Sequence, residues 1–90
     1  MDELETLRLQ INEVTVDIFR LIKKRLELAR SIGRIKALKG LPIKDEEAER
    51  RLLYTVRKTC EDLKIFPEFG EALAKLLIKY SIKVQEESVN

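Results

Sequence analysis

The sequence predicts an all-α fold with three helices per chain, one long and two shorter. Apolar residues recur at helical spacing along most of the 90 residues, glycine and proline together number five, and no stretch has the pattern of a convincing strand. A chain of this length is expected to form a single domain over residues 1–90. The core of such a small domain is limited, so a partner subunit would help to stabilise it.

The first and longest helix is predicted from Leu4 to about Lys39. Its apolar residues form two rows with a spacing of seven, which is typical of a helix packed along its length against other helices. Such a helix would extend roughly 50 Å. Arg25 is the single charged residue in the two rows, and the other nine of the ten positions are apolar. The rows are Leu4, Ile11, Ile18, Arg25 and Ile32, and Leu7, Val14, Leu21, Leu28 and Ile35.

The first connection and the second helix carry clear boundary signals. Gly40 is suited to a left-handed helix end, and Pro42 cannot continue a helix, so residues 40–44 are predicted to form a short loop. Asp45 is a favourable N-cap for the second helix, which is predicted to end near Lys64. Its buried face is expected to consist of Leu52, Leu53, Val56, Cys60 and Leu63.

The third helix is predicted to begin at Pro67, because proline is favoured at the first helical position. Its apolar residues cover more than one face, which favours a deeply packed helix. They are Phe69, Leu73, Leu76, Leu77, Ile78, Tyr80, Ile82 and Val84. The polar tail after Gln85 is expected to be frayed.

The composition excludes several classes of protein. The net charge is only +2, with basic and acidic residues interleaved, which argues against a nucleic-acid-binding protein. The absence of histidine excludes a Ser-His-Asp triad, a Cys-His pair and a histidine-based metal site. The single cysteine, Cys60, cannot form an intrachain disulfide and is expected in the core. An enzyme built from these residues would therefore act by positioning and electrostatics.

The sequence also indicates where the protein works. Its first residues are acidic and polar, unlike a signal peptide. No apolar run approaches the roughly 20 residues that a membrane span requires. We therefore expect a cytoplasmic protein that is not inserted in a membrane.

Two cations lie on the apolar face of the first helix. Lys36 follows Arg25 by eleven residues, which places both within about 20° of the same face, with Ile32 between them. A lone polar residue in such a seam often only fixes register or oligomeric state. A buried cation without a counter-charge is destabilising, however, so an anionic ligand at this face would be favourable.

Polar residues also lie beside the apolar faces of the shorter helices. Asp45 and Glu49 are four residues apart on the second helix, and Ser81 and Gln85 have the same spacing on the third. Singly, each has a structural interpretation as a helix cap or a solvated side chain. Together with the two cations they suit a pocket for a small ligand with two anionic groups and a hydroxyl, since arginine binds carboxylates in a bidentate manner. The apolar neighbours of the pair on the third helix are Ile78 and Ile82.

A further cation, Arg8, flanks the seam near the start of the first helix. It lies seventeen residues before Arg25, which is about 25 Å along the helix axis, so the two cannot contact one small molecule within a chain. In a two-fold dimer with antiparallel long helices, Arg8 of one chain would approach the middle of the other chain's helix. The ligand site would then be shared across a homodimer interface.

The sequence resembles the all-helical chorismate mutases of the AroQ class over about residues 4–85, without gaps. No single matching segment is diagnostic, but five of them occur in the same order and with the same spacing. The segments are LRLQI around Arg8, KKRLELA around Arg25, SIGRIK ending in Lys36, LPIKDEEAER with Asp45 and Glu49, and YSIKVQ with Ser81 and Gln85.

This resemblance implies an intertwined homodimer in which three-helix chains form a helical bundle with two equivalent active sites. It implies conversion of chorismate, a small dianion, to prephenate by a Claisen rearrangement, a step toward phenylalanine and tyrosine. No cofactor, metal or covalent intermediate would be needed, which agrees with the lack of histidine.

The resemblance also implies how the two carboxylates of the substrate are held. Arg25 and Ser81 would bind the ring carboxylate. Lys36 and Arg8 of the partner subunit would bind the enolpyruvyl carboxylate. Both carboxylates would thus be fixed by cations, one of which crosses the dimer interface.

The remaining matching residues would act on the other polar groups of the substrate. Lys36 and Gln85 would donate hydrogen bonds to the ether oxygen. Glu49 would accept a hydrogen bond from the ring hydroxyl, near the backbone amide of Asp45. The apolar walls would be Ile32, Ile78 and Ile82.

Two positions depart from the pattern of this family. Many members have an arginine immediately before the residue that matches Glu49, where this chain has Ala48. Arg50 and Arg51 are the nearest residues that could replace it. Many members also have an aspartate where this chain has Thr15, a position with a structural role in the helix.

Two other functions are compatible with the same sequence. An isochorismate-pyruvate lyase is another pericyclic enzyme on this scaffold, and an assay with both substrates separates the two. A non-catalytic helical dimerisation module would use Arg25, Lys36 and Gln85 only as register and surface residues. Such a module would show no activity toward either substrate.

Overall fold

The fold is built from three α-helices, as predicted. A computed structural model describes residues 2–87, in which α1 spans Glu3–Lys39, α2 spans Glu46–Leu63 and α3 spans Pro67–Glu87. These residues contain no strand. Helix α3 extends to Glu87, so fraying directly after Gln85 is wrong as a prediction, and residues 88–90 lie outside the described residues. No helix within residues 2–87 is long and apolar enough to cross a membrane.

Local chemistry explains the boundaries of α1. Asp2 is its N-cap, and the carboxylate accepts a hydrogen bond of 2.7 Å from the backbone N–H of Glu5. Gly40 ends the helix with φ 66° and ψ 29°, a left-handed conformation that glycine adopts without a steric penalty. The backbone N–H of Leu41 then donates to the Lys36 carbonyl at 2.8 Å. The predicted glycine stop is therefore confirmed.

The boundaries of α2 and α3 follow similar rules, with one exception. Asp45 caps α2 by accepting a 3.0 Å hydrogen bond from the backbone N–H of Ala48, as predicted. Pro67 occupies the first position of α3, which is also as predicted. Lys64 ends α2 in a left-handed conformation with φ 58°, although no glycine is present there.

Helix α3 is the element against which the other two helices pack. Both α1 and α2 pack against it, whereas no Cα atoms of α1 and α2 lie within 8 Å of each other in the described residues. Two glycines permit the close approach. A Cβ built on Gly33 would lie 2.9 Å from the Cα of Gln85, and one built on Gly70 would overlap the Cys60 thiol. Cys60 is buried, so its predicted place in the core is confirmed.

The apolar seam of α1 is not covered within the chain. Its nine apolar residues are between 47% and 67% exposed. The prediction that α3 is deeply packed is wrong for the single chain, because one of its two apolar faces is exposed to solvent. That face consists of Phe69, Leu73, Leu76 and Tyr80. Leu63, which was predicted on the buried face of α2, is 63% exposed, so this part of the prediction is wrong. The buried apolar residues within residues 2–87 are few and small, namely Ala29, Cys60, Ala74 and Val84.

Candidate active site

A cavity of about 500 Å³ opens between the three helices and the loop that precedes α2. This volume is in the range of small-molecule sites. Nine of the ten residues predicted to bind substrate line it, and their roles toward a ligand stay predictions. The nine are Arg25, Ile32, Lys36, Asp45, Glu49, Ile78, Ser81, Ile82 and Gln85, and the further lining residues are Leu28, Ala29, Ile43, Ala48 and Leu52.

Arg25 reaches across from α1 to α3. Its Nη1 donates to the Leu77 carbonyl at 3.1 Å and also to the Ser81 hydroxyl. Burial lowers the pKa of the Arg25 guanidinium from its ordinary value, because desolvation disfavours the charged form. The group is still a cation at neutral pH. No carboxylate within residues 2–87 pairs with it, so an anion in the cavity would supply the missing counter-charge.

Lys36 and Gln85 form a second polar centre on the cavity wall. The Lys36 ammonium donates to the Ile43 carbonyl at 2.5 Å and to Oε1 of Gln85 at 3.0 Å. Gln85 is only 6% exposed, and it is the single buried polar residue among residues 2–87. An ammonium can only donate, so it orients the amide oxygen toward itself. The amide nitrogen is left as the group that can donate into the cavity.

The two acidic residues of the cavity have partners of their own. The Glu49 side chain is 25% exposed, and its Oε1 and Oε2 accept hydrogen bonds from the Lys44 ammonium at 3.2 and 3.1 Å. Asp45 uses its carboxylate to cap α2. Neither carboxylate neutralises Arg25 or Lys36.

These groups together define what the cavity can bind. Two cations lie on one side, two partnered carboxylates lie on another, and aliphatic side chains form the remaining walls. The arrangement fits a compact ligand with an apolar body, anionic groups and at least one hydroxyl. The predicted chemistry of two cations, an amide, a hydroxyl and a carboxylate is thus present around one space.

Three predicted participants lie elsewhere. Arg8 is not among the lining residues, and its position on the same straight helix places it roughly 25 Å from Arg25 along the axis. Arg50 pairs with Glu47 outside the cavity, and Arg51 does not line the cavity either. Neither arginine therefore takes the place of the side chain that Ala48 lacks.

Three residues that matter for this geometry were not predicted. Gly33 lets α1 approach the backbone of Gln85, the Ile43 carbonyl holds Lys36, and Lys44 holds Glu49. Gly33 stands inside a matching segment, and a glycine within a long helix was the available signal. Nothing in the sequence pattern separates Lys44 from the other exposed lysines.

Comparisons with known proteins agree with the chemistry of the cavity. Residues 7–86 match the family described as chorismate mutase type II. The chain is 29% identical over 87 residues to the chorismate mutase of Methanocaldococcus jannaschii. The aligned residues cover 97% of this chain and 88% of that protein. It is 37% identical over 79 residues to the T-protein of Enterobacter agglomerans, covering 88% of this chain and 21% of the relative.

A third relative is a bifunctional chorismate mutase/prephenate dehydratase of Aquifex aeolicus. The identity is 35% over 78 residues, which covers 84% of this chain and 21% of that protein. The chain thus spans most of one relative and about a fifth of the other two.

Proposed function

This chain belongs to the chorismate mutase type II family and is an isomerase of that class, and we propose that it converts chorismate to prephenate in the cavity between its three helices. The observation that carries this proposal is the convergence of Arg25, Lys36 and Gln85 on one cavity of about 500 Å³. Both cations lack a carboxylate partner within residues 2–87. A dianionic substrate supplies both counter-charges.

The first task of the site is to hold the substrate in a reactive shape. Chorismate in water rarely adopts the compact chair in which its two reacting carbons meet, and fixing both carboxylates selects that chair. Arg25 binds the ring carboxylate. Because the Ser81 oxygen accepts from Arg25, its hydroxyl proton is available to the same carboxylate.

The second task is to stabilise charge in the transition state. As the ether C–O bond breaks and the new C–C bond forms, negative charge grows on the ether oxygen. The Lys36 ammonium and the Gln85 amide nitrogen donate to this oxygen more strongly in the transition state than in the bound substrate. Loss of one such donor should cost on the order of 3 kcal/mol in activation free energy.

The acidic wall recognises the remaining polar group. Glu49 accepts a hydrogen bond from the ring hydroxyl, beside the capped start of α2 at Asp45. The apolar walls surround the ring and exclude water from the reacting bonds. They are Ile32, Ile78 and Ile82.

The proposal includes a homodimer with intertwined chains. The chain exposes 7511 Å², whereas a compact monomer of 10.5 kDa exposes about 5,400 Å². Its radius of gyration is 16.5 Å, against about 12 Å for a compact domain of this length. A second copy packed on the seam of α1 would cover the exposed apolar residues. The same packing would bring Arg8 of the partner subunit to the enolpyruvyl carboxylate.

A direct assay tests the activity and the site together. The loss of chorismate absorbance is followed with the wild type, Arg25→Ala and Lys36→Ala, with Arg34→Ala as a control on the same helix outside the cavity. We expect kcat/KM to fall about 10²-fold or more for the two cavity variants. The kcat/KM of the Arg34→Ala control should stay within about twofold of the wild-type value, since exposed charges contribute little. Isochorismate as a second substrate should give no pyruvate.

Two results would contradict this proposal. One is a folded wild type that does not accelerate chorismate loss. The other is a pair of folded cavity variants that match the wild type, which would place the chemistry elsewhere in the chain.

Subunit mixing tests the shared site. Arg8→Ala and Arg25→Ala chains should each be nearly inactive, but a mixed dimer contains one site with both arginines intact. A random mixture should therefore recover about a quarter of the wild-type sites. Verified mixed dimers without recovered activity would rule out the cross-chain role of Arg8.

A further inference from the structure

We propose that Lys44 is a positioning residue for this reaction, which it serves by neutralising and orienting Glu49. This inference rests on the proposed function of the cavity. Lys44 precedes α2 in the loop, does not line the substrate cavity and has no role in the mechanism proposed above. Its ammonium contacts both oxygens of the Glu49 carboxylate, at 3.2 and 3.1 Å.

The position of Lys44 is outside the substrate cavity. Glu49 lines this cavity and also a second cavity of about 580 Å³ between α2 and α3. Lys44 lines only the second cavity, and its side chain is 59% exposed against 25% for Glu49. Lys44 therefore contacts the carboxylate on the side of the second cavity, and the substrate would contact Glu49 on the side of the substrate cavity.

No other ion pair holds Glu49 within residues 2–87. The basic residues of α3 that line the second cavity are otherwise engaged: Lys75 pairs with Glu71, and the ammonium groups of Lys79 and Lys83 lie over the Tyr80 ring. The other charged groups around Glu49 are Asp45 at the start of α2, Glu86 on α3, and Arg25 and Lys36 across the substrate cavity.

Charge explains why Glu49 needs this partner. A free carboxylate on the cavity wall would repel a dianionic substrate a few ångströms away. Paired with Lys44, Glu49 still offers an oxygen to the ring hydroxyl but adds little net negative charge. The contact with both oxygens also restricts the orientation of the carboxylate. Ala48, the neighbouring wall residue, has no charge that could do the same.

The loop connects this pair to the other polar centre. Ile43 precedes Lys44, and its carbonyl accepts a hydrogen bond from Lys36. Two consecutive loop residues thus fix one polar group on α1 and one on α2. The loop therefore sets the distance between the donor for the ether oxygen and the acceptor for the hydroxyl.

The first test removes the charge of Lys44. We expect Lys44→Gln to raise KM for chorismate about tenfold with kcat changed less than about threefold, because the uncompensated carboxylate opposes binding of the dianion in ground and transition states alike. Lys44→Arg should restore the wild-type KM within about twofold. Lys79→Gln is the matched control, since it removes a lysine from the same cavity without touching Glu49, and its KM should stay within about twofold.

The second test separates charge compensation from a structural role of the loop. In a Glu49→Gln background residue 49 has no charge for Lys44 to neutralise, so adding Lys44→Gln should leave KM unchanged within about twofold. An equal effect of Lys44→Gln in both backgrounds would overturn the proposal. Equal effects of Lys44→Gln and Lys79→Gln would overturn it as well. An inactive wild type would instead refute the proposed function, and this role with it.

Discussion

Gln85 is the residue whose chemistry the proposed mechanism uses most directly. It is buried on α3, and Lys36 fixes which end of the amide faces the cavity. An amide nitrogen carries its protons at every pH at which the protein is folded. In the proposed mechanism, the donor for the ether oxygen therefore needs no proton uptake.

Gln85→Glu should give an enzyme whose activity rises as the pH is lowered. The introduced carboxylate can donate to the ether oxygen only when protonated, and the neighbouring Lys36 ammonium favours its ionised form. We expect kcat/KM to fall about 10²-fold or more at neutral pH and to rise again as the pH is lowered. A pH–rate profile from neutral to acidic buffer measures this.

Gln85→Leu is the control for this pH dependence. It removes the donor altogether, so its activity should be low at every pH. An acid-dependent recovery in Gln85→Leu would contradict the donor role, because the recovery would then come from another group.

The sequence identified some of the candidate site residues but not others. Arg25 and Lys36 stand on an apolar helix face, where a charge is costly and therefore conspicuous. Lys44 could not be found in this way, because an exposed lysine in a polar loop has the pattern of any solvated residue. Its significance depends on which carboxylate lies beside it, and that is set by how the loop packs on α2.

At the scale of the helices, the boundaries were predictable where a local rule applies. Gly40, Asp45 and Pro67 each act through their own backbone or a neighbour within three residues. The left-handed end at Lys64 was predicted in position but not in conformation, because lysine has no special preference for it. Periodicity identified the apolar faces of α3 correctly, but it does not say which of them is covered by the same chain.

Gly33 controls the spacing between α1 and α3. A Cβ at this position would lie 2.9 Å from the backbone of Gln85, so Gly33→Ala must push the two helices apart. We expect a loss of roughly 2 kcal/mol in the free energy of unfolding and a clear fall in kcat, since Gln85 moves with its helix. Denaturant unfolding and steady-state kinetics measure the two effects.

Gly40→Ala separates the stability effect from the activity effect. It introduces strain at a positive φ, with no atom within 4 Å of the added Cβ. The expected result is about 1 kcal/mol of destabilisation with kcat unchanged. If Gly33→Ala lost no more activity than Gly40→Ala, the helix spacing would not control the chemistry.

The whole molecule is a thin and elongated layer. Its principal dimensions are 57, 27 and 14 Å, and the buried apolar residues within residues 2–87 are few and small. Such a chain gains little hydrophobic stabilisation alone. Sequence periodicity predicted the seam on α1, but no part of residues 2–87 covers it.

Charge placed in the seam should separate the proposed dimer. Ile11→Glu adds a carboxylate to the exposed apolar row, and burying it unpaired would cost about 3 kcal/mol or more per subunit. We expect the apparent mass to shift from dimer to monomer in sedimentation at micromolar concentration, with loss of activity. Asn12→Glu adds the same charge one residue outside the seam and should remain dimeric. Dissociation of both variants alike would contradict the seam as the interface.

The packing of α1 and α2 against α3, and not against each other, has a consequence for protein synthesis. The first two helices leave the ribosome with no packing surface for each other, because the inter-helix contacts within residues 2–87 all involve α3. The 21 residues of α3 take about one to four seconds to translate at usual rates. During this interval α1 has no helix of its own chain to pack against, and chains stalled before Pro67 should be digested by protease as fast as unfolded chains. Both helix packings of the chain therefore form only after α3 has been made.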